Sequence, residues 1–247
     1  MLLSLFRPGL HAIRAFWKPF VLIQFCGLLV VIGYFYVPIV RDVLDRLGEW
    51  KAAGGVAIVI IASAISGAVV PELAKIVALG QTHFDRTRVN DLAINGMIFG
   101  LFGFTGDAFY TLMGELFPSD GTLKPIVIKT ALDQALYSPF LTLPFVALVY
   151  TFRRHGWQVK PVWNELGFQW YLTRVLTLAV MCWCYWVPMC LLMYTLPAGL
   201  TFVFAMFGQA AWALLLLFAA KHGADPASHD EPIPADLPVS IEPQPPT

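Results

Sequence analysis

AGLTFVFAMFGQAAWALLLLFAA, residues 198–220, decides the fold. It carries no charge and one strongly polar side chain, Gln209. A hydrocarbon core about 30 Å thick needs about 20 mostly apolar helical residues to cross it. This segment meets that length, as does FVLIQFCGLLVVIGYFYVPIV at 20–40, interrupted only by Gln24. Working outward, four further runs qualify in whole or in part: 55–79, 92–117, 125–152 and 168–194. Pro139, Pro144 and Pro188 break the fourth and fifth, where kinks or half-helices are expected.

Composition agrees. The 247 residues are 58% hydrophobic and only 13% charged, with a mean hydropathy of +0.68. A water-soluble surface needs roughly twice that share of charge. Sixteen basic and sixteen acidic residues cancel, so no global field points to nucleic acid. These numbers exclude a soluble enzyme, a disordered chain and a disulfide-stapled secreted domain. The fold class expected is all-α, a polytopic transmembrane bundle of about six spans, with four to six as the range.

Charge placement orients the bundle. With the N-terminus inside, Arg7, Arg14, Lys18, Arg86, Arg88, Arg153, Arg154, Lys160 and Lys221 lie on the inner side. Arg41, Arg46, Lys51 and Lys124 lie outside. That bias follows the positive-inside rule, and six spans return the C-terminus to the inner side. The chain divides into a basic interfacial N-terminus (1–18), a membrane domain (19–221) and a Pro-rich acidic tail (222–247) expected to be disordered. The first span lacks a small-residue cleavage site after it and is expected to stay as an anchor. Trp17, Trp50, Trp157, Trp163, Trp170, Trp183 and Trp186 are expected at headgroup depth.

Ionisable groups inside spans are the best functional pointers, since each costs about 2.5–3.5 kcal/mol facing lipid. They sort into an inner layer (Glu72, Lys75 and Arg174) and an outer layer (Asp107, Glu115, Lys129 and Asp133). Lys75, Glu115 and Arg174 are long enough to snorkel instead. Lys129 and Asp133 share a helix face, and Asp107 is the expected cross-helix partner of Lys129. Three readings stand for this group with Gln134: an ion-pair knot that orients helices, part of a water-filled path, or a proton relay. Gly96, Gly100, Gly103 and Gly106 lie along one face of the third span and allow close helix approach.

Catalytic, cofactor and metal sites are not expected. The five histidines fall outside the confident spans, and Cys182-x-Cys184 has no further ligand at metal spacing. No phosphate-cradling loop or Ser-His constellation occurs.

Lys129-Thr-Ala-Leu-Asp133-Gln134, followed by Pro139, carries a resemblance. Upstream stand Gly106, Phe109, Tyr110 and Pro118; downstream stand Trp186 and Pro188, Leu196-Pro197 and Trp212. Over about residues 55–220 the chain resembles the peroxisomal membrane protein 22 kDa family, also called the Mpv-seventeen family, with an extra N-terminal span. It departs from the family pattern at Gly67-Ala68, around Met189 to Met193, at Thr201 and at Trp212-Ala213. The resemblance implies a helical bundle acting as a small-solute channel or permeability regulator. The expected function is therefore a channel-like protein with Asp107, Lys129, Asp133 and Gln134 at its constriction. The alternative is a non-catalytic scaffold or accessory subunit of a larger membrane complex. Expected partners are the lipid bilayer and a homo-oligomer or larger complex, but not nucleic acid. A bacterial plasma membrane and a mitochondrial inner membrane fit equally.

Overall fold

The computed structural model describes residues 2–223. Among them the chain is helical, with no strand. Helix α1 (Leu2–Tyr36) leads into α2 (Pro38–Ala64), which continues through a π-helical turn into α3 (Val70–Leu79). Helix α4 (Arg86–Leu116) follows, then α5 (Leu123–Leu132), a π segment (Asp133–Thr142) and α6 (Leu143–Arg154). A short α7 (Val159–Glu165) precedes α8 (Phe168–Trp170), which passes through another π turn into α9 (Leu176–Met193). Helix α10 (Ala198–Gly223) ends the described chain. Residues 224–247, most of the expected tail, lie outside it.

Five stretches are long and apolar enough to cross a membrane, and a sixth is a bent pair. Each coincides with a run expected from the sequence. The protein is a polytopic helical membrane bundle. Helix α10 is its centre: 56% of its most apolar window is buried, against 22–33% for the other four unbroken spans. A central helix is apolar all round because every face meets another helix. Phe202, Phe204, Leu215 and Ala205 are buried there. Phe20, Val31 and Tyr34 of α1 join Tyr185, Met189 and Met193 of α9 in the same core. Gln24, the polar interruption of the first span, donates Nε2 to the Tyr185 carbonyl at 2.8 Å. Lipid tails are as apolar as leucine, so such hydrogen bonds and close packing join the helices.

Residues 38–54 correct one expectation. They form a helix where a charged outer loop is expected, because Val40, Leu44, Leu47 and Lys51 recur on one face. Leu44 enters the core, while Asp42, Arg46, Glu49 and Trp50 stay exposed. Arg41 folds back to donate to the last carbonyls of α1, Tyr34 at 3.1 Å and Phe35 at 2.8 Å. The helix stops at Gly55, whose φ of 55° and ψ of −145° separate it from the spanning part of α2. Side chains strongly disfavour that region. Gly55→Ala, with open space around the new methyl, is expected to cost about 1–3 kcal/mol from backbone strain alone. Thermal unfolding in detergent measures it; an unchanged melting temperature would show that the break relaxes freely.

Prolines act less simply than expected. Pro139 sits inside the π segment, where its missing amide would have bonded five residues back to the Gln134 carbonyl. Trp183 fills that vacancy, donating Nε1 to Gln134 O at 2.8 Å. The sharp bend of the fifth span, 51°, falls between Val175 and Leu178 rather than at Pro188. Trp183 and Trp186 lie midway along α9 rather than at an end of the span. Trp17, Trp50, Trp157 and Trp163 are exposed.

Glycines let α4 lie against α2. A Cβ on Gly100 would stand 3.2 Å from Ile60 Cγ2. A Cβ on Gly103 would overlap the Ser63 side chain and lie 2.9 Å from the Val59 carbonyl. Gly106 faces the Tyr137 hydroxyl, and Gly96 meets nothing within 4 Å. Only part of the glycine face is therefore a packing seam.

Candidate functional site

Between α2–α3, α4, the π segment, α9 and α10 lies a cavity of about 210 Å³. On α4 its lining runs from Asp91 and Asn95 to Gly106 and Tyr110. At 1.5 Å per residue that covers about 28 Å of helix, nearly the hydrocarbon thickness. The volume has room for several water molecules beside polar groups.

One end of the cavity is charged. Glu72, buried, pairs with Lys75 at 3.1 Å and with Arg88. Arg88 also donates to the carbonyls of Gln81 at 2.6 Å and His83 at 2.7 Å, binding the connection between α3 and α4. Asp85 caps α4 by accepting the Arg88 amide at 2.8 Å. Arg153 meets Asp91 at 2.6 Å, tying the end of α6 to the start of α4. Glu72, Lys75, Asp91 and Arg153 all line the cavity.

Arg174, expected in the same layer, belongs to a neighbouring cluster. It lies 3.9 Å from Glu165, which also pairs with Arg154 and with His155 at 2.7 Å. Burial raises the Glu165 carboxyl, but the bonds with His155 and Arg154 and the nearby guanidinium charges outweigh it. They hold Glu165 below its ordinary value. The carboxylate's contribution is therefore complete above the ordinary Glu range and is lost as pH falls through the lowered pKa.

Midway, Gln209 of α10 reaches α2. Its Nε2 donates to the Ser63 carbonyl at 2.9 Å and to Ser66 Oγ at 2.8 Å. The one strongly polar group of residues 198–220 is thus held by backbone and hydroxyl acceptors, and it also lines the cavity.

The other end is built on Asp133 and Gln134, 4% and 7% exposed. Tyr194 donates its hydroxyl to Asp133 Oδ2 at 2.9 Å, and Gln134 Nε2 donates to Oδ1 at 3.0 Å. Cys190 Sγ lies 3.6 Å from Oδ2. No cation stands within 4 Å of Asp133 among the described residues. Tyr110, edge-on to the Tyr194 ring, and Tyr137 wall this end, while Trp186 lines the same cavity beside Gly208; Tyr137 shares a hydrogen bond with Thr105 at 2.9 Å.

The expected knot of Asp107, Lys129 and Asp133 does not form. Asp107 pairs instead with Lys51 at 2.6 Å. Lys51, expected on the outer side, is carried against α4 by the helix 38–54. Lys129 is buried, 5% exposed, with Nζ 5.5 Å from the centre of the Tyr194 ring. Tyr194 thus presents its face to Lys129 and its hydroxyl to Asp133. Asp133 and Gln134 are brought together with Glu72 on one cavity, whereas Asp107, Lys129 and Arg174 are not part of its lining. Tyr194, Cys190, Asp91, Arg88 and Arg153 were not legible as site residues. Buried tyrosine and cysteine on apolar helices leave no periodic signal, and span-end cations resemble topology markers. No metal-binding group of His, Cys, Asp and Glu occurs among the described residues.

Compared with protein-family models, with curated proteins and with solved structures, the chain matches none. What the geometry establishes is a polytopic helical membrane protein with an internal cavity, largely apolar, into which a few charged and polar side chains are set.

Proposed function

We propose that the protein is a channel-like permeability protein that passes small polar solutes or ions through this cavity, without catalytic chemistry. The observation that carries the reading is one cavity with charged groups at one end (Glu72, Lys75, Asp91, Arg153) and a buried carboxylate at the other (Asp133). A bundle stabilised only by packing has no need of that much desolvated polarity, each group being costly in hydrocarbon. The residues Lys129, Asp133, Gln134 and Pro139 support the same reading through their likeness to the Mpv-seventeen family. The proposed orientation puts both termini on the inner side, with the Glu72–Arg88 end of the cavity facing inward, as the positive charges favour. The membrane is a bacterial plasma membrane or a mitochondrial inner membrane.

Purified protein in planar bilayers is expected to show discrete conductance. Asp133→Asn removes the only carboxylate that lines the uncompensated end among the described residues and is expected to lower cation over anion selectivity several-fold while melting near the parent. Silent bilayers from protein shown to be folded would remove the channel reading.

A further inference from the structure

The Asp133 end of the cavity is an acceptor site missing its donor. Gln134 is more than nine-tenths buried, and its Oε1 has no hydrogen-bond partner. Its orientation is set by chemistry: the amide nitrogen must face the Asp133 carboxylate, to which it donates at 3.0 Å, so the oxygen points elsewhere. An unpaired buried acceptor is costly and is normally satisfied by water or a ligand. Beside it, Asp133 receives a hydroxyl, an amide and a thiol but, among the described residues, no cation within 4 Å. Lys129, four residues before Asp133 on the same helix, is held over the Tyr194 ring. Aromatic walls complete the site, with Tyr110, Tyr137 and Trp186 lining the same space.

We propose that this end of the cavity binds a small organic ammonium group. The N–H donors would satisfy Gln134 Oε1, the charge would sit against Asp133, and the aromatic faces would take the flanking C–H surface by cation–π contact. An alkali ion would need a shell of several oxygens, whereas the ring faces of Tyr110, Tyr137 and Trp186 offer π surface, which suits a cation that carries its own C–H groups. A neutral solute would leave the carboxylate uncompensated. The inference rests on the reading above, that the cavity admits a small polar solute, and names the class it prefers.

The test uses the wild-type protein in detergent, so no variant need fold. Its melting temperature is followed against ethylammonium chloride, potassium chloride and ethanol, the salts at equal ionic strength. A saturable rise of about 2–4 °C with ethylammonium alone is expected. An equal rise with potassium would assign an inorganic-cation or salt effect, and an equal rise with ethanol simple cavity filling. Either result, or no rise at all, overturns the proposal. Gln134→Met keeps the side-chain length but removes the acceptor, together with the amide donor to Asp133; it is expected to weaken ethylammonium about tenfold, and unchanged binding would move the ligand away from Gln134. Saturable binding with silent bilayers would sink only the channel reading. Conductance without ethylammonium binding would sink only this inference.

Discussion

Gly103→Leu is expected to destabilise the bundle by about 3 kcal/mol or more, a large part of the roughly 5–15 kcal/mol that holds a typical protein folded. The β-carbon alone would overlap Ser63 on α2 and press on the Val59 carbonyl, which is backbone and cannot step aside as a rotamer. Ser63 is fully buried, with its hydroxyl on Met206 Sδ at 3.1 Å and its carbonyl accepting Gln209. Moving it disturbs α10 as well as α2. The same motif supplies its own control. Gly96→Ala places a methyl in open space within a helix and is expected to stabilise by about 0.5–1 kcal/mol through helix propensity. Melting curves of the two variants in detergent decide the matter. If both move the same way, the glycine face is not a seam with one tight contact.

That contrast shows where sequence reasoning stops. Spacing placed four glycines on one face of α4, which is correct geometry, but only the position of α2 tells which of them touch it. The spans themselves were legible, since twenty apolar residues have few alternatives in a bilayer. The helix 38–54 was not, because its charge density resembles a loop when it is averaged over a span-length window. Its face of Val40, Leu44, Leu47 and Lys51 has spacings of four, three and four, and that was the available signal. Missing it cost the partner of Asp107, and with it the expected pairing with Lys129. Within the motif Lys129 to Gln134, Asp133 and Gln134 lie side by side in the interior. What surrounds them was hidden, because Tyr194 and Cys190 come from a distant helix whose sequence is apolar throughout. Trp183 was misplaced for a related reason: an aromatic at headgroup depth and one capping a carbonyl freed by proline look alike in one dimension.

The charged end of the cavity gives the other large effect. Glu72 stands between Lys75 and Arg88, with all three side chains at most about one-fifth exposed. Glu72→Leu leaves both cations without their carboxylate, and breaking such a buried pair typically costs about 3–5 kcal/mol. The lower end of that range is expected here, since Lys75 is long enough to reach solvent. Arg88 would keep the carbonyls of Gln81 and His83, but its hold on α3 would be gone, freeing the connection to α4. Adding Arg88→Met to Glu72→Leu removes the uncompensated guanidinium along with its partner. The double variant is therefore expected to lose less than the sum of the singles, by about 0.5–3 kcal/mol of coupling. Thermal unfolding of the two singles and the double closes the cycle. Additive losses would mean that Glu72 and Arg88 are each solvated at the membrane edge, and that the charged mouth of the cavity is a surface feature rather than a built one.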